Sequence, residues 1–204
     1  MGFSTLLDIV GSIVIGGYLL LLLGRLNGSA NANTYSYSEE LTLQQNLAAV
    51  AEIVEYDFRK IGYCKNFTAI SDPSKSIIMA DSNKIKFLTD VNRDGIVDTM
   101  YYYLGQASEL TATKNPRDRM LYRVINSQAP KSANLGITEF RIVYMDVNND
   151  TISFPITTPG EIASMEINIA VEKTDAYGLE SDTTKYSGAF WRQIRLVARN
   201  LENR

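Results

Sequence analysis

Histidine is absent from this chain of 204 residues, and cysteine occurs only once. Without histidine the chain lacks the commonest general base and the commonest transition-metal ligand, which excludes a histidine-based triad and disfavours a zinc site. The single thiol, Cys64, cannot form an internal disulfide and has no histidine to activate it, so we interpret it as a small buried apolar group. The sequence contains no recognisable nucleophile–base pair or phosphate loop. It therefore predicts a protein that is not an enzyme and has no small-molecule substrate.

An excess of positive charge is also lacking. The formal net charge is −3, and acidic and basic residues are interspersed along the chain. Nucleic-acid binders normally carry a basic face, so no nucleic-acid partner is expected.

Strongly polar side chains are scarce over the first part of the chain. Apart from Asp8 and nearby hydroxyls, the segment from Phe3 to Leu23 is apolar. It is about 21 residues long, and at about 1.5 Å per residue a helix of this length spans about 31 Å, enough to cross the hydrocarbon core of a bilayer. Arg25 follows the segment and is able to reach lipid headgroups.

Three interpretations of this segment stay open. It is a cleaved secretory signal if Ala30 and Ala32 mark a small-x-small cleavage site, which would leave Asn33 as the first residue. It is a membrane anchor if the segment is retained. It is an assembly helix if it packs against copies of itself, for which Ser12 and Gly16 offer a small-x-x-x-small contact.

The organisation that we expect has three parts. Residues 1–25 form a transmembrane or assembly helix, residues 26–38 form a small, polar linker, and residues 39–204 form an extracytoplasmic α+β domain. The last part begins with an amphipathic helix, because apolar residues recur at helical spacing and Gly62 is a plausible stop. The apolar stripe consists of Leu43, Leu47, Val50, Ala51, Val54, Phe58 and Ile61.

After Gly62 the pattern predicts short strands separated by turn residues. The segment "MEINIAVEK" alternates apolar and polar residues, which is typical of an antiparallel sheet with one buried face. The predicted fold is an amphipathic helix packed on an antiparallel sheet. The predicted strands are "SIIMA", "KIKFLTD", "TMYYYLG", "RMLYRVINS", "ITEFRIVYMD", "TISF", "ASMEINIAVEK" and "AFWRQIRLVARNL".

The segment "DVNRDGIVD" suggests a metal site. Oxygen-bearing side chains stand at loop positions 1, 3, 5 and 9, glycine at position 6 allows a tight turn, and a main-chain carbonyl is available at position 7. Two interpretations stay open: a calcium ion that stiffens the loop, or a hairpin with an Asp94-Gly95 turn and solvated acids. The candidate calcium ligands are Asp90, Asn92, Asp94, Asp98 and the carbonyl of Ile96.

The opening "GFSTLLDIVGSIVIGGYLLLLL" resembles the N-terminus of type IV pilins and pseudopilins, in which a glycine, a phenylalanine, an acid and a long apolar helix follow in this order. The order "YDFRKIGY", "KIKFLTDVNRDGIVDTMYYYL", "RMLYRVINS", "ITEFRIVYMD" and "MEINIAVEK" is similar to that of the J-type minor pseudopilins of type II secretion and the PilW-like minor pilins. This similarity covers most of the chain at low stringency, and its weight comes from the order of the motifs.

The resemblance implies a pilin-like fold and a role in assembly. It implies processing between Gly2 and Phe3, methylation of Phe3, and pairing of Asp8 with the amino terminus of a neighbouring subunit. A second interpretation of Asp8 stays open: it lies within two turns of the helix end and reaches water there. Asp8 stands one position later than the family acid, and only Met1 precedes Gly2.

The function expected from the sequence is that of a structural subunit of a type IV filament or secretion assembly. Its apolar helix would cross the inner membrane once, and its C-terminal domain would lie in the periplasm or on an extracellular filament. Its partners would be other pilin-like subunits or a membrane complex. The alternative is a permanently anchored subunit or binding module of a larger membrane complex that never polymerises.

Overall fold

The computed structural model describes residues 2–174, 186 and 190–197. It opens with one long helix, α1 (Gly2–Phe58), and an antiparallel sheet follows. The chain divides into two compact units, Met1–Thr42 and Leu43–Arg204. The apolar N-terminal helix and the antiparallel sheet agree with the predicted α+β class.

The segment 26–38 is helical, which corrects the predicted linker. Gly28 and the neighbouring asparagine and serine residues disfavour a helix by propensity. Some of its polar side chains nevertheless bond along the helix: the hydroxyl of Thr34 donates to the carbonyl of Ala30, and the side-chain amide of Asn31 donates to Asn27. The division between the units lies after Thr42 and not after residue 38.

In the second unit, the C-terminal part of α1 carries the predicted apolar stripe as far as Phe58, whereas Ile61 lies in the turn after the helix. Every member of the stripe is buried. Phe58 lies at the end of the helix and packs edge to face on two sheet residues, Phe87 at 5.4 Å and Tyr102 at 5.3 Å between ring centroids. Such pairs add to the stabilisation from burial alone. The chain leaves the helix through Gly62, whose φ of 74° is a left-handed conformation that favours glycine.

Among the described residues, seven antiparallel strands form one sheet in which the spatial order equals the sequence order. Antiparallel neighbours can be joined without a crossover, so strands that follow one another in sequence also lie side by side. The strands are β1 (Ile77–Ala80), β2 (Lys84–Thr89), β3 (Asp98–Leu104), β4 (Arg119–Ile125), β5 (Lys131–Met145), β6 (Ser164–Val171) and β7 (Phe190–Val197). Short 3-10 turns lie at Pro73–Lys75, Ala107–Glu109 and Pro159–Glu161.

Strand β5 is longer than predicted, because the segment "KSANLG" continues the strand at its N-terminal end. Its first part pairs with β4 and its second part pairs with β6. Gly136 lies at this change of partner with a φ of 72°, and its carbonyl accepts the amide of Glu172 at 2.8 Å. A Cβ at this position would collide with the carbonyl oxygen of Glu172, so both the backbone conformation and the space require glycine.

The predicted strand "TISF" is wrong. Thr151 forms only an isolated bridge to Met145, and no strand follows it before β6. Pro155 comes directly after this segment, has no N–H to donate to a ladder and so disfavours its extension. The last predicted strand agrees with β7 from Phe190 to Val197, and residues 189 and 198–201 of that prediction lie outside the described part of the chain.

Candidate functional site

The apolar part of the first unit has no protein covering it. Within the described residues one helix is long and apolar enough to cross a membrane. No residue of its most apolar stretch is buried against other parts of the chain. The relative exposure reaches 80% at Phe3 and 71% at Leu20. A continuous apolar surface of this kind requires lipid or protein neighbours to remove it from water.

Three of the four predicted assembly residues lie along one ridge of the helix. Asp8, Ser12 and Gly16 are four positions apart, so they follow one another along an i, i+4 row. Phe3 precedes Asp8 by five positions, which places it about 140° around the helix from Asp8 at 3.6 residues per turn. The hydroxyl of Ser12 donates to the carbonyl of Asp8 at 2.7 Å.

Gly16 allows the closest backbone approach on this ridge, because it has no Cβ, and the space around it is open. Gly2, the predicted processing position, likewise has open space around it. The ridge therefore presents a carboxylate, a hydroxyl and an uncovered backbone on a surface open to neighbours.

The acidic loop between β2 and β3 is organised around Asp90, which is fully buried. Its two carboxylate oxygens accept the amides of Lys65 at 3.1 Å, Asp94 at 3.1 Å and Gly95 at 2.9 Å. Burial alone raises the pKa of Asp90, but these hydrogen bonds outweigh it, so the pKa lies below its ordinary value. The side chain thus ties the loop to the segment that follows α1.

The other predicted ligands are also engaged within the loop or with β4. Asp94 accepts the amide of Ile96 at 2.7 Å and the side-chain amide of Asn92 at 2.8 Å. Asp98 accepts the amide of Val91 at 3.0 Å and the side-chain amide of Asn126 at 2.7 Å. The loop is therefore closed by its own hydrogen bonds.

Within the described residues this loop does not form a ready-made calcium site. Calcium requires six to eight oxygens that converge on one point, whereas the carboxylates of Asp90, Asp94 and Asp98 accept N–H donors. The described residues contain no group of three or more histidine, cysteine or acidic side chains that could hold a metal ion. The carbonyl of Ile96, the fifth predicted ligand, therefore has no group of metal-binding side chains beside it among the described residues. Calcium binding stays a prediction that requires the loop to exchange these donors for an ion.

A buried polar network in the second unit was not anticipated from the sequence. Asp57, near the end of α1, is 2% exposed and accepts the hydroxyl of Tyr102 at 2.5 Å and Nε of Arg123 at 2.6 Å. Burial, followed by the neighbouring charge of Asp57, raises the pKa of Tyr102. The only sequence signal was a charged residue, Asp57, next to the apolar position 58 of the helix stripe. The network joins α1 to β3 and β4.

Comparison of the chain with models of protein families, with curated proteins and with solved structures finds no match. Function is therefore inferred from the residues of this chain and their geometry.

Proposed function

We propose that this chain is a non-enzymatic structural subunit, anchored in the membrane by its N-terminal helix and similar in role to a minor pilin or pseudopilin of a type IV filament or secretion assembly. The observation that carries this proposal is the apolar segment of the first unit, Phe3 to Leu23, which the chain leaves uncovered and which holds one carboxylate, Asp8. Its expected location is the inner membrane, with one span and with the C-terminal domain in the periplasm or on a filament.

The apolar surface of this helix supports the proposal, because it extends around the whole circumference of the helix. Large side chains such as Leu20 and Leu21, at 71% and 69% exposure, recur around the whole helix and not on one stripe. A helix that is apolar on all sides is stable in lipid or among similar helices. The same helix therefore serves as an anchor before assembly and as a packing surface after it.

Asp8 supports the assembly role by its electrostatics. A carboxylate within a transmembrane segment costs several kcal/mol unless it is paired or reaches water. In an assembly of copies the amino terminus of a neighbour would supply the pairing charge. Such a pair fixes the axial register, because a shift of one helical turn separates the two charges by about 5.4 Å.

Charge reversal at Asp8 tests this role. Full-length chains carrying two different tags are co-expressed, and association is measured by co-purification after mild cross-linking in the membrane. We expect Asp8→Lys to remain in the membrane fraction but to lose association between copies. Glu52→Lys is the matched control, since it makes the same charge change at an exposed position of the second unit and should preserve both properties.

The second candidate function is a permanently anchored subunit of a larger membrane complex that does not polymerise. The self-contained second unit favours it, because this unit has its own hydrophobic core of residues from both α1 and the sheet. Unchanged association of Asp8→Lys with its partners, together with absent association between copies of the wild-type chain, would select this candidate.

A further inference from the structure

The acidic loop presents one apolar side chain to solvent. Ile96 is 67% exposed, although it lies between Asp94 and Asp98 in the chain. Isolated exposed apolar residues are common, but the backbone that leads into this one is held by two hydrogen bonds: the amide of Ile96 donates to Asp94, and the amide of the preceding Gly95 donates to the buried carboxylate of Asp90. We call Ile96 with Asp94 and Asp98 the acidic knob.

The second unit also contains an apolar cavity, whose size and lining match an aliphatic side chain such as that of Ile96. It measures about 180 Å³, lies between α1 and strands β4 and β5, and has an almost wholly apolar lining. An apolar cavity of about 150 Å³ is large enough to hold a benzene molecule, so this one has room for a large aliphatic side chain. We call it the apolar socket; its apolar walls include Val50, Ile53, Leu121, Leu135 and Ile137.

The charge beside the socket is positive. Arg123 and Lys131 both line it. Arg123 is neutralised by the carboxylate of Asp57 at 2.6 Å, so the exposed Lys131 supplies the remaining positive charge. An occupant that matches the socket is therefore a large apolar side chain flanked by carboxylates, which is the composition of the acidic knob.

We propose that the acidic knob of one copy of this chain docks into the apolar socket of a second copy. This inference deepens the proposed function, on which it rests, by naming the contact between head domains. The knob lies on the β2–β3 loop, whereas the socket is built from α1, β4 and β5, so the two surfaces that meet are different. A contact between different surfaces is heterologous and generates a ring or an open helical filament.

The chain offers a second acidic loop as a matched comparison. Val147 is 79% exposed and lies between Asp146 and Asp150. Its side chain is smaller than that of Ile96. Among the described residues, the carboxylate of Asp146 accepts amides of its own loop, those of Asn148 and Asp150, and Arg195 of β7 donates to Asn149. Both loops are thus tied to a neighbouring segment, and the two differ in that Ile96 is the larger side chain.

Disulfide trapping between two copies tests the contact. Two full-length chains in a Cys64→Ala background are co-reconstituted in vesicles, one with Val97→Cys beside the knob and the other with Ser132→Cys in the socket. Mild oxidation is expected to give the mixed dimer, and adding Ile96→Ser to the first chain should abolish it. Asn148→Cys, beside Val147, replaces Val97→Cys in the control and should give no mixed dimer with Ser132→Cys.

Energy transfer between labelled wild-type copies, diluted in the same vesicles, gives the size of the effect. Burying one isoleucine side chain corresponds to roughly 10- to 100-fold in affinity, so Ile96→Ser should weaken association by that factor and Val147→Ser by less than about twofold. The proposal is overturned if the Val97–Ser132 pair gives no dimer, if the control pair gives as much, or if Ile96→Ser changes nothing. Association that depends on Asp8 but not on Ile96 would overturn the docking alone and leave the proposed function in place.

Discussion

The buried ion pair between Asp57 and Arg123 leads to a quantitative prediction for the variant Asp57→Asn. The side chain of Asp57 is 3% exposed and that of Arg123 is 24% exposed, so the pair is shielded from solvent mainly on the carboxylate side. Removing one partner of a buried pair costs about 3–5 kcal/mol, because the other charge is left uncompensated. Since Arg123 keeps some access to water, we expect the lower end, about 3 kcal/mol.

The variant is measured by urea unfolding of the full-length chain in detergent, followed by the fluorescence of its only tryptophan, Trp191. A loss of about 3 kcal/mol corresponds to a decrease in Tm of roughly 6–12 °C for a domain of this size. Two tyrosines provide a matched pair: Tyr102→Phe removes the buried hydroxyl that donates to Asp57, whereas Tyr122→Phe removes one that donates to Glu109 at 2.7 Å near the surface.

We expect Tyr102→Phe to cost about 1.5–3 kcal/mol, since its hydrogen bond is to a charged and buried group, and Tyr122→Phe to cost less than about 1 kcal/mol. An effect of Asp57→Asn below about 1 kcal/mol, or equal effects of the two tyrosine variants, would refute the argument that this network fastens α1 to the sheet.

Three further predictions concern the loop and the bend in the sheet. Hydrogen bonds hold the pKa of Asp90 below its ordinary value. The ionised side chain therefore contributes to stability above about pH 4, and this contribution is lost as the pH falls through the lower pKa of the folded state. Urea unfolding between about pH 5 and pH 2 should show a weaker pH dependence of stability for Asp90→Asn than for the wild type. Gly136→Ala should lower the stability by about 2 kcal/mol, through its positive φ and the collision with the next strand, whereas Gly160→Ala, which meets only an ordinary contact, should change it by less than about 0.5 kcal/mol in the same assay. Chelation with EDTA should shift the Tm by less than about 1 °C, because hydrogen bonds to the loop carboxylates close the loop without an ion.

Each of these predictions has an outcome that contradicts it. Equal pH profiles for Asp90→Asn and the wild type would remove the link between the loop hydrogen bonds and stability. A stable Gly136→Ala would mean that β5 changes partner without a special conformation. A calcium-specific rise in Tm that Asp98→Ala abolishes would establish the calcium site that the spacing of "DVNRDGIVD" indicates.

Periodicity predicted the parts of the fold that depend on local pattern. The apolar stripe from Leu43 to Phe58 is buried, and the alternation in "MEINIAVEK" appears as the strand Ser164–Val171. Both patterns repeat many times, so one exception does not obscure them. The segment 26–38 was misassigned because its composition disfavours a helix, and the prediction did not weigh the helical segments on both sides of it.

Contacts between residues far apart in the sequence could not be predicted from local periodicity. The pairing of Asp57 with Arg123 joins positions 66 residues apart, and no local pattern predicts such a distance in sequence. The loop residues 90–98 were identified as a group, but their spacing is equally compatible with carboxylates that face an ion and carboxylates that face amides. The direction in which the carboxylates point decides between an ion and amides. That direction depends on the burial of Asp90 and on donors outside the loop, such as the amide of Lys65.

The most direct test of the central claim is the intact mass and N-terminal peptide of the native chain, isolated from the membrane fraction. A membrane-anchored subunit built for assembly is expected to begin at Phe3 with a methylated amino group. A chain that begins at Gly2 or Met1 would contradict the filament role and leave the permanently anchored subunit. A chain that begins at Asn33 would contradict both, since the apolar helix would then be a signal that is removed.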